Sequence, residues 1–228
     1  MNAGTRTLLI DGPAGAIDVA LDTPAVAPTG VAVVAHPHPL YGGTRDNKVA
    51  QTLARALRDL GYLCWRPNFR GVGQSAGRFD EGIGETDDLL AVVDHALAHA
   101  ASAGLAQPRL VLAGFSFGSF VQVRVAARLR ERGRPAHRLV LVGTAAARFD
   151  VEAVPPDTLV VHGENDETVP LKDVFDWARP QDLPVVVLPG ADHFFHRKLT
   201  LLKRVVLEAF GAAGAQPPPG SDRPAPPA

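Results

Sequence analysis

Residues 109–132 read RLVLAGFSFGSFVQVRVAARLRER. The opening RLVLA is apolar at every position after Arg109, as a strand must be when helices cover both of its faces. The closing SFVQVRVAARLRER carries a helical period. Between them stands GFSFG, a serine set between glycines as G-x-S-x-G. A buried strand that turns sharply into a helix is the repeating unit of a mostly parallel sheet with helices on both faces, so this stretch predicts an α/β architecture.

The flanking sequence repeats the unit. TLLI and AIDVAL, separated by DGPAG, predict an N-terminal antiparallel hairpin. Further strands are expected at GVAVVAH (30–36), YLCWRPNF (62–69), RLVLVG (138–143), TLVVHG (158–163) and PVVVLPG (184–190). Helices are expected over 47–60, 83–100, 119–132, 170–178 and 195–210, where Val49, Leu53, Leu57 and Leu60 illustrate the apolar stripe. From Gly211 the chain reads GAAGAQPPPGSDRPAPPA, with no large apolar residue to offset its ordering entropy. The expected organisation is one domain over 1–210 and a disordered Pro-rich tail over 211–228.

Bulk properties narrow the classes. A formal net charge of −1 argues against a nucleic-acid binder and gives no pull toward anionic membranes. Cys64 is the single cysteine, so no intrachain disulfide forms, and Leu8 to Ile10 is too short an apolar run for a signal peptide. No stretch approaches the roughly 20 apolar residues of a membrane span. These features predict a cytoplasmic protein; they do not speak to its oligomeric state.

G-x-S-x-G also occurs at 73–77, as GQSAG inside NFRGVGQSAGRF. With 22 glycines in 228 residues a serine acquires this frame by chance about once in a hundred times, so context has to choose. A nucleophilic serine needs a strand-to-helix turn that lifts its hydroxyl above the sheet edge and aims helix N–H groups at developing negative charge. Ser116 has that setting. Ser75 sits among Gly71, Gly73 and Gly77 with further loop after it, so its hydroxyl is expected to cap backbone groups.

A serine nucleophile needs a base, and the base an orienting acid. The loop after TLVVHG offers Glu164, Asp166 and Glu167; the loop after PVVVLPG offers His193 and His196. Both follow the C-terminal ends of predicted parallel strands, the edge where Ser116 emerges and where ligands bind in open α/β sheets. Asp192 adjoins His193 and is a poor orienting acid, and His196 is expected to be a surface or capping histidine.

HPHPLYGG, NFRGVGQSAG, GFSFG with GENDETVP, and PGADHFF occur in this order. With them the chain resembles a small, cap-less serine hydrolase of the α/β-hydrolase superfamily, akin to dienelactone-hydrolase-like esterases and the catalytic domain of Xaa-Pro dipeptidyl-peptidases. The resemblance covers about 30–210. It implies Ser116 as nucleophile, Asp166 as acid and His193 as base. The 15 residues from Gly143 to Asp157 are too few for the lid that larger members insert there.

Acyl transfer also needs two donors for the oxyanion. One is expected from the backbone N–H of Phe117, just after the nucleophile. The other should come from HPHPL, where proline lacks an N–H and leaves His36, His38 and Leu40; the resemblance selects His38. The imidazoles of His36 and His38 also admit an H-x-H metal-pair reading, weakened by the lack of a nearby third ligand. Leu40, Tyr41 and Phe115 are expected substrate contacts, with Phe117 and Trp177 further candidates for the apolar wall. The expected activity is hydrolysis of a small carboxylic ester through an acyl-enzyme, with a small-molecule acyl substrate and neither metal nor organic cofactor. Thioester or amide cleavage on the same groups, and a catalytically inactive binding module, are the alternatives.

Overall fold

The computed structural model describes residues 4–146 and 148–212. Their elements are β1 (Thr5–Gly12), β2 (Gly15–Asp22), β3 (Gly30–Ala35), α1 (Lys48–Asp59), β4 (Tyr62–Pro67), α2 (Ile83–Ser102), β5 (Arg109–Phe115), α3 (Phe117–Glu131), β6 (Arg138–Val142), β7 (Leu159–Gly163), α4 (Leu171–Ala178), β8 (Val185–Leu188) and α5 (Leu199–Ala212). Single 3-10 turns occupy Pro39–Tyr41 and Arg179–Gln181.

The eight strands form one sheet in the order β1-β2-β4-β3-β5-β6-β7-β8. β1 pairs with β2, and β2 with β4, antiparallel; every pairing from β4 through β8 is parallel. The expected α/β-hydrolase fold, with its antiparallel hairpin at one edge, is therefore present. Period-two alternation along each strand divides the core. Val31, Val33 and Ala35 face α2 and α3, together with Leu110 and Leu112. Ala32 and Val34 face α1 and α5, together with Val111 and Ala113. α4 packs on Val160 through Val174 and Ala178. Each buried Leu or Val contributes about 1.5–3 kcal/mol, which is why all six residues of β3 lie inside.

Local chemistry sets the helix starts. Asn47 Oδ1 accepts from the Val49 and Ala50 N–H groups (2.9 and 3.3 Å) and caps α1. At α2, buried Glu85 reaches back to the Asp80 and Gly82 N–H groups (2.9 and 2.8 Å). α5 starts four residues later than its apolar period suggested, because Phe195 and Arg197 hold φ of 54° and 60°, outside the right-handed helix. It runs through Gly211 and Ala212; the remainder of the expected tail, 213–228, lies outside the described residues. No helix segment separates β6 from β7 among the described residues, and no described helix is long and apolar enough to cross a membrane.

Candidate active site

Ser116 occupies the turn between β5 and α3 with φ 56° and ψ −119°, a conformation costing of order 1–3 kcal/mol for a non-glycine residue. Its N–H is tied to the Val142 carbonyl on β6 (2.9 Å), which helps hold the strained turn. The flanking glycines are required by close approach. A Cβ on Gly114 would lie 2.3 Å from the Gly118 oxygen, and one on Gly118 would lie 2.5 Å from the oxygens of Ala35 and His36.

The loops after β7 and β8 reach the same edge. Ser116 Oγ donates to His193 Nε2 (3.1 Å), and His193 Nδ1 donates to Asp166 Oδ2 (2.6 Å). These two contacts assign the tautomer: the proton rests on Nδ1 and Nε2 is free to accept. Asp166 is held from several sides. Its Oδ1 accepts from the Thr168 and Val169 N–H groups (2.9 and 2.8 Å), and His162 Nε2 stands 3.3 Å from Oδ2 while donating to the Val169 carbonyl (2.8 Å). Burial pushes the His162 imidazole toward its neutral form, so it supports the carboxylate as a dipole rather than as a counter-charge. His162 was not singled out in the sequence; its place four residues before Asp166, at the end of a strand, was the available signal. The His193 ring rests against Phe115 (centroids 4.9 Å apart) and Phe194 (5.2 Å).

Of the other candidates for acid and base, Glu167 is exposed and three are engaged elsewhere. Asp192 pairs with His196 (2.6 Å) at the surface, and Glu164 accepts from the Gly190 N–H (2.7 Å). Cys64 is buried in β4, away from any elbow, and burial raises its thiol pKa well above the ordinary value.

Ser116, Phe117, His38 and His193 line one cleft of about 270 Å³. Phe117 is the first residue of α3 and His38 caps the Pro39–Tyr41 turn. Neither backbone N–H has an intramolecular acceptor among the described residues. The His38 ring packs at a tilt among Tyr41, Phe79 and Phe117 (centroids 4.7, 4.7 and 4.9 Å apart); its pKa is lowered by burial and then by the charge of Arg148. His36 is a structural group. Its Nδ1 donates to the Pro37 carbonyl (2.7 Å) and its Nε2 accepts from the Phe69 N–H (2.9 Å). With both nitrogens bonded to backbone, His36 has none to share with His38 in a metal pair, and burial lowers its pKa to about 4.

Two expected substrate contacts fall elsewhere. Phe115 is fully buried beneath His193, because as the last residue of β5 its side chain enters the core. Leu40 is exposed and lies outside the cleft, turned away by the Pro39–Tyr41 turn. Tyr41 does line the cleft, joined by Phe194 of the PGADHFF stretch and by Arg148 and Phe149, which carried no motif. Trp177 donates its indole N–H to the Val151 carbonyl (2.9 Å) and also stays outside.

Ser75 lies in the loop after β4. Its oxygen accepts from the Asp18 N–H (3.0 Å) and its proton goes to the Asn68 carbonyl (2.8 Å), the backbone capping expected of it.

The profile of the family described as serine aminopeptidase, S33, matches residues 32–156. An uncharacterized protein of Rickettsia prowazekii is 35% identical over 206 residues, 84% of this chain and 82% of its own length. Among solved structures, an α/β serine hydrolase without lid from Xanthomonas campestris is similar, with a TM-score of 0.81 and 39% identity over 95% of this chain and 99% of its own. So is an α-β serine hydrolase homologue from Coxiella burnetii, with a TM-score of 0.80 and 36% identity over 91% and 98%.

Proposed function

This chain belongs to the serine aminopeptidase S33 family and is a serine hydrolase of the α/β fold; from that premise we propose that it cleaves small carboxylic esters through an acyl-enzyme on Ser116. The observation that carries the reading is the unbroken relay Ser116–His193–Asp166, which opens onto a cleft with two uncommitted N–H groups. Ser116 Oγ attacks the ester carbonyl as His193 Nε2 takes its proton. Asp166 keeps the imidazole in the Nδ1–H tautomer and stabilises the imidazolium without taking the proton. The carbonyl oxygen becomes an oxyanion, met by the N–H groups of Phe117 and His38. Collapse expels the alcohol, which leaves with the proton from Nε2. Water then gives a proton to Nε2 and attacks the acyl carbon, and a second collapse releases the acid and restores Ser116.

The open cleft supports this reading, because no domain has to move before a small ester enters. A fluorophosphonate probe followed by peptide mass spectrometry tests it. Labelling is expected at Ser116 and is lost in Ser116→Ala and His193→Ala. Labelling at Ser75, or no labelling of folded protein, sinks the proposal. A panel of matched ester, thioester and amide substrates then tests the ester preference, which fails if another bond is cleaved with higher kcat/KM.

A further inference from the structure

The loop after β6 supplies the cleft with a feature the hydrolytic chemistry does not use. Arg148 lines the cleft together with Ser116 and His193. Among the described residues it is the single lysine or arginine lining the cleft, and no aspartate or glutamate lines it. Asp166, the carboxylate of the relay, is buried behind His193 and already accepts from the Thr168, Val169 and His193 N–H groups. It therefore does not neutralise Arg148, and Arg148 makes no ion pair among the described residues. The charge reaches into the site, since it acts on the His38 imidazole that caps the turn beside the cleft. The walls around it are mostly apolar and rich in aromatic rings, with Asn47 and Thr168 as polar exceptions: Tyr41, Phe149 and Phe194 line the cleft, and Phe117 lies beside the nucleophile.

An uncompensated guanidinium at an aromatic cleft selects for a particular kind of ligand. Its planar fork of donors matches a carboxylate in bidentate geometry, which a point-charge ammonium does not reproduce. Aromatic walls favour a planar apolar body. We propose that the site takes esters whose aromatic or other planar apolar body bears one free carboxylate, with Arg148 binding that carboxylate while Ser116 attacks the ester carbonyl. This rests on the serine-hydrolase reading and adds the substrate class. Arg148 is exposed, so its attraction is open to salt screening, and a neutral body still has the aromatic walls to pack on.

The test uses two matched pairs of aromatic esters. In one pair the acyl part is 4-carboxybenzoate or its neutral monomethyl ester, each as the 4-nitrophenyl ester. In the other the leaving group is 4-hydroxybenzoate or its neutral methyl ester, each as the benzoate ester. The quantity read is the charged-to-neutral ratio of kcat/KM within each pair. The wild-type ratio is expected to exceed that of Arg148→Gln by about tenfold in at least one pair, a factor that converts to about 1.4 kcal/mol. Arg148→Lys should retain part of the preference, Arg148→Glu should invert it, and raising the salt concentration should shrink it. A ratio that is the same in wild type, Arg148→Gln and Arg148→Glu overturns the proposal. The two readings fail differently. If fluorophosphonate labels Ser116 and the esters are cleaved with an Arg148-independent ratio, only the substrate class falls; if folded protein neither labels nor cleaves any ester, the hydrolase reading falls and takes this one with it.

Discussion

The chain carries the same five-residue frame twice, GQSAG at 73–77 and GFSFG at 114–118, and folds it to two different ends. Burial does not separate them, since Ser75 and Ser116 are each 8% exposed. The hydroxyl partners do. Ser75 spends both its acceptor and its proton on backbone, stitching β2 to the loop after β4. Ser116 keeps its proton on His193 Nε2 and faces a cleft. The glycines differ as well. Gly73 and Gly77 adopt φ of 60° and 84°, so conformation demands glycine there, and neighbouring side chains at 2.5–2.9 Å crowd a Cβ as well. Gly114 and Gly118 have no such φ; they are bare because backbone passes within 2.3–2.5 Å of where a Cβ would sit. In GFSFG the positive φ falls on the serine itself. A sequence pattern thus records where glycine is needed without recording why, and the reason decides the function.

The comparison breaks most readily at the relay, which only one serine has. In Asp166→Asn, the oxygen of the new carboxamide can still accept from the Thr168 and Val169 N–H groups, but its NH2 faces His193 Nδ1 and favours the tautomer with the proton on Nε2. That nitrogen can then no longer accept from Ser116. A fall in kcat of about 10⁴-fold is expected, by analogy with the same change in other triads. Steady-state kinetics on a 4-nitrophenyl ester checks it, with near-normal activity excluding Asp166 as the orienting acid.

The relay was legible because its parts follow strand ends. RLVLA, TLVVHG and PVVVLPG are apolar enough to be recognised as parallel strands, and their loops necessarily share an edge. The substrate wall was not. Phe115 is among the expected wall residues, yet strand alternation sends it into the core under His193. Arg148 and Phe149 lie in a stretch without periodicity or motif, where only tertiary packing decides which side chains meet the cleft. The strand order has the same character: local patterns mark β3 and β4 as strands, while the placement of β4 between β2 and β3 is settled by which faces they bury together.

His36 joins the two regions and makes their contact sensitive to pH. Its Nε2 accepts from Phe69 at the start of the Ser75 loop, and its carbonyl lies against Gly118 of the elbow. The ordinary pKa of 6.5 falls to about 4 in the fold because burial disfavours the cation. Above pH 6.5 both folded and unfolded chains hold this histidine neutral, and its contribution is constant. Between 6.5 and about 4 the unfolded chain takes up a proton that the folded one does not, so stability falls as pH falls, by about 3 kcal/mol in all. Below about 4 the penalty levels off. His38, His99 and His162, also lowered chiefly by burial, act in the same direction. Urea midpoints measured from pH 7 to pH 4 should fall more steeply for wild type than for His36→Gln. Superimposable profiles would remove His36 as the acid-sensitive joint.

The smallest catalytic effect belongs to Ser75. Ser75→Ala leaves the Asp18 N–H without its acceptor and the Asn68 carbonyl without its donor, at a site where both are shielded from water. Losing partners for buried groups costs about 1–3 kcal/mol, so the denaturant midpoint should drop. The Ser116–His193–Asp166 contacts are untouched by the change, so kcat/KM per folded molecule should remain within about threefold of wild type. Titrating active sites with the fluorophosphonate probe supplies the count of folded molecules and keeps the two effects apart. If the labelled enzyme fraction is full and turnover nonetheless falls a hundredfold, then GQSAG reaches the chemistry through more than the loop it ties down, and the division of labour between the two serines is wrong.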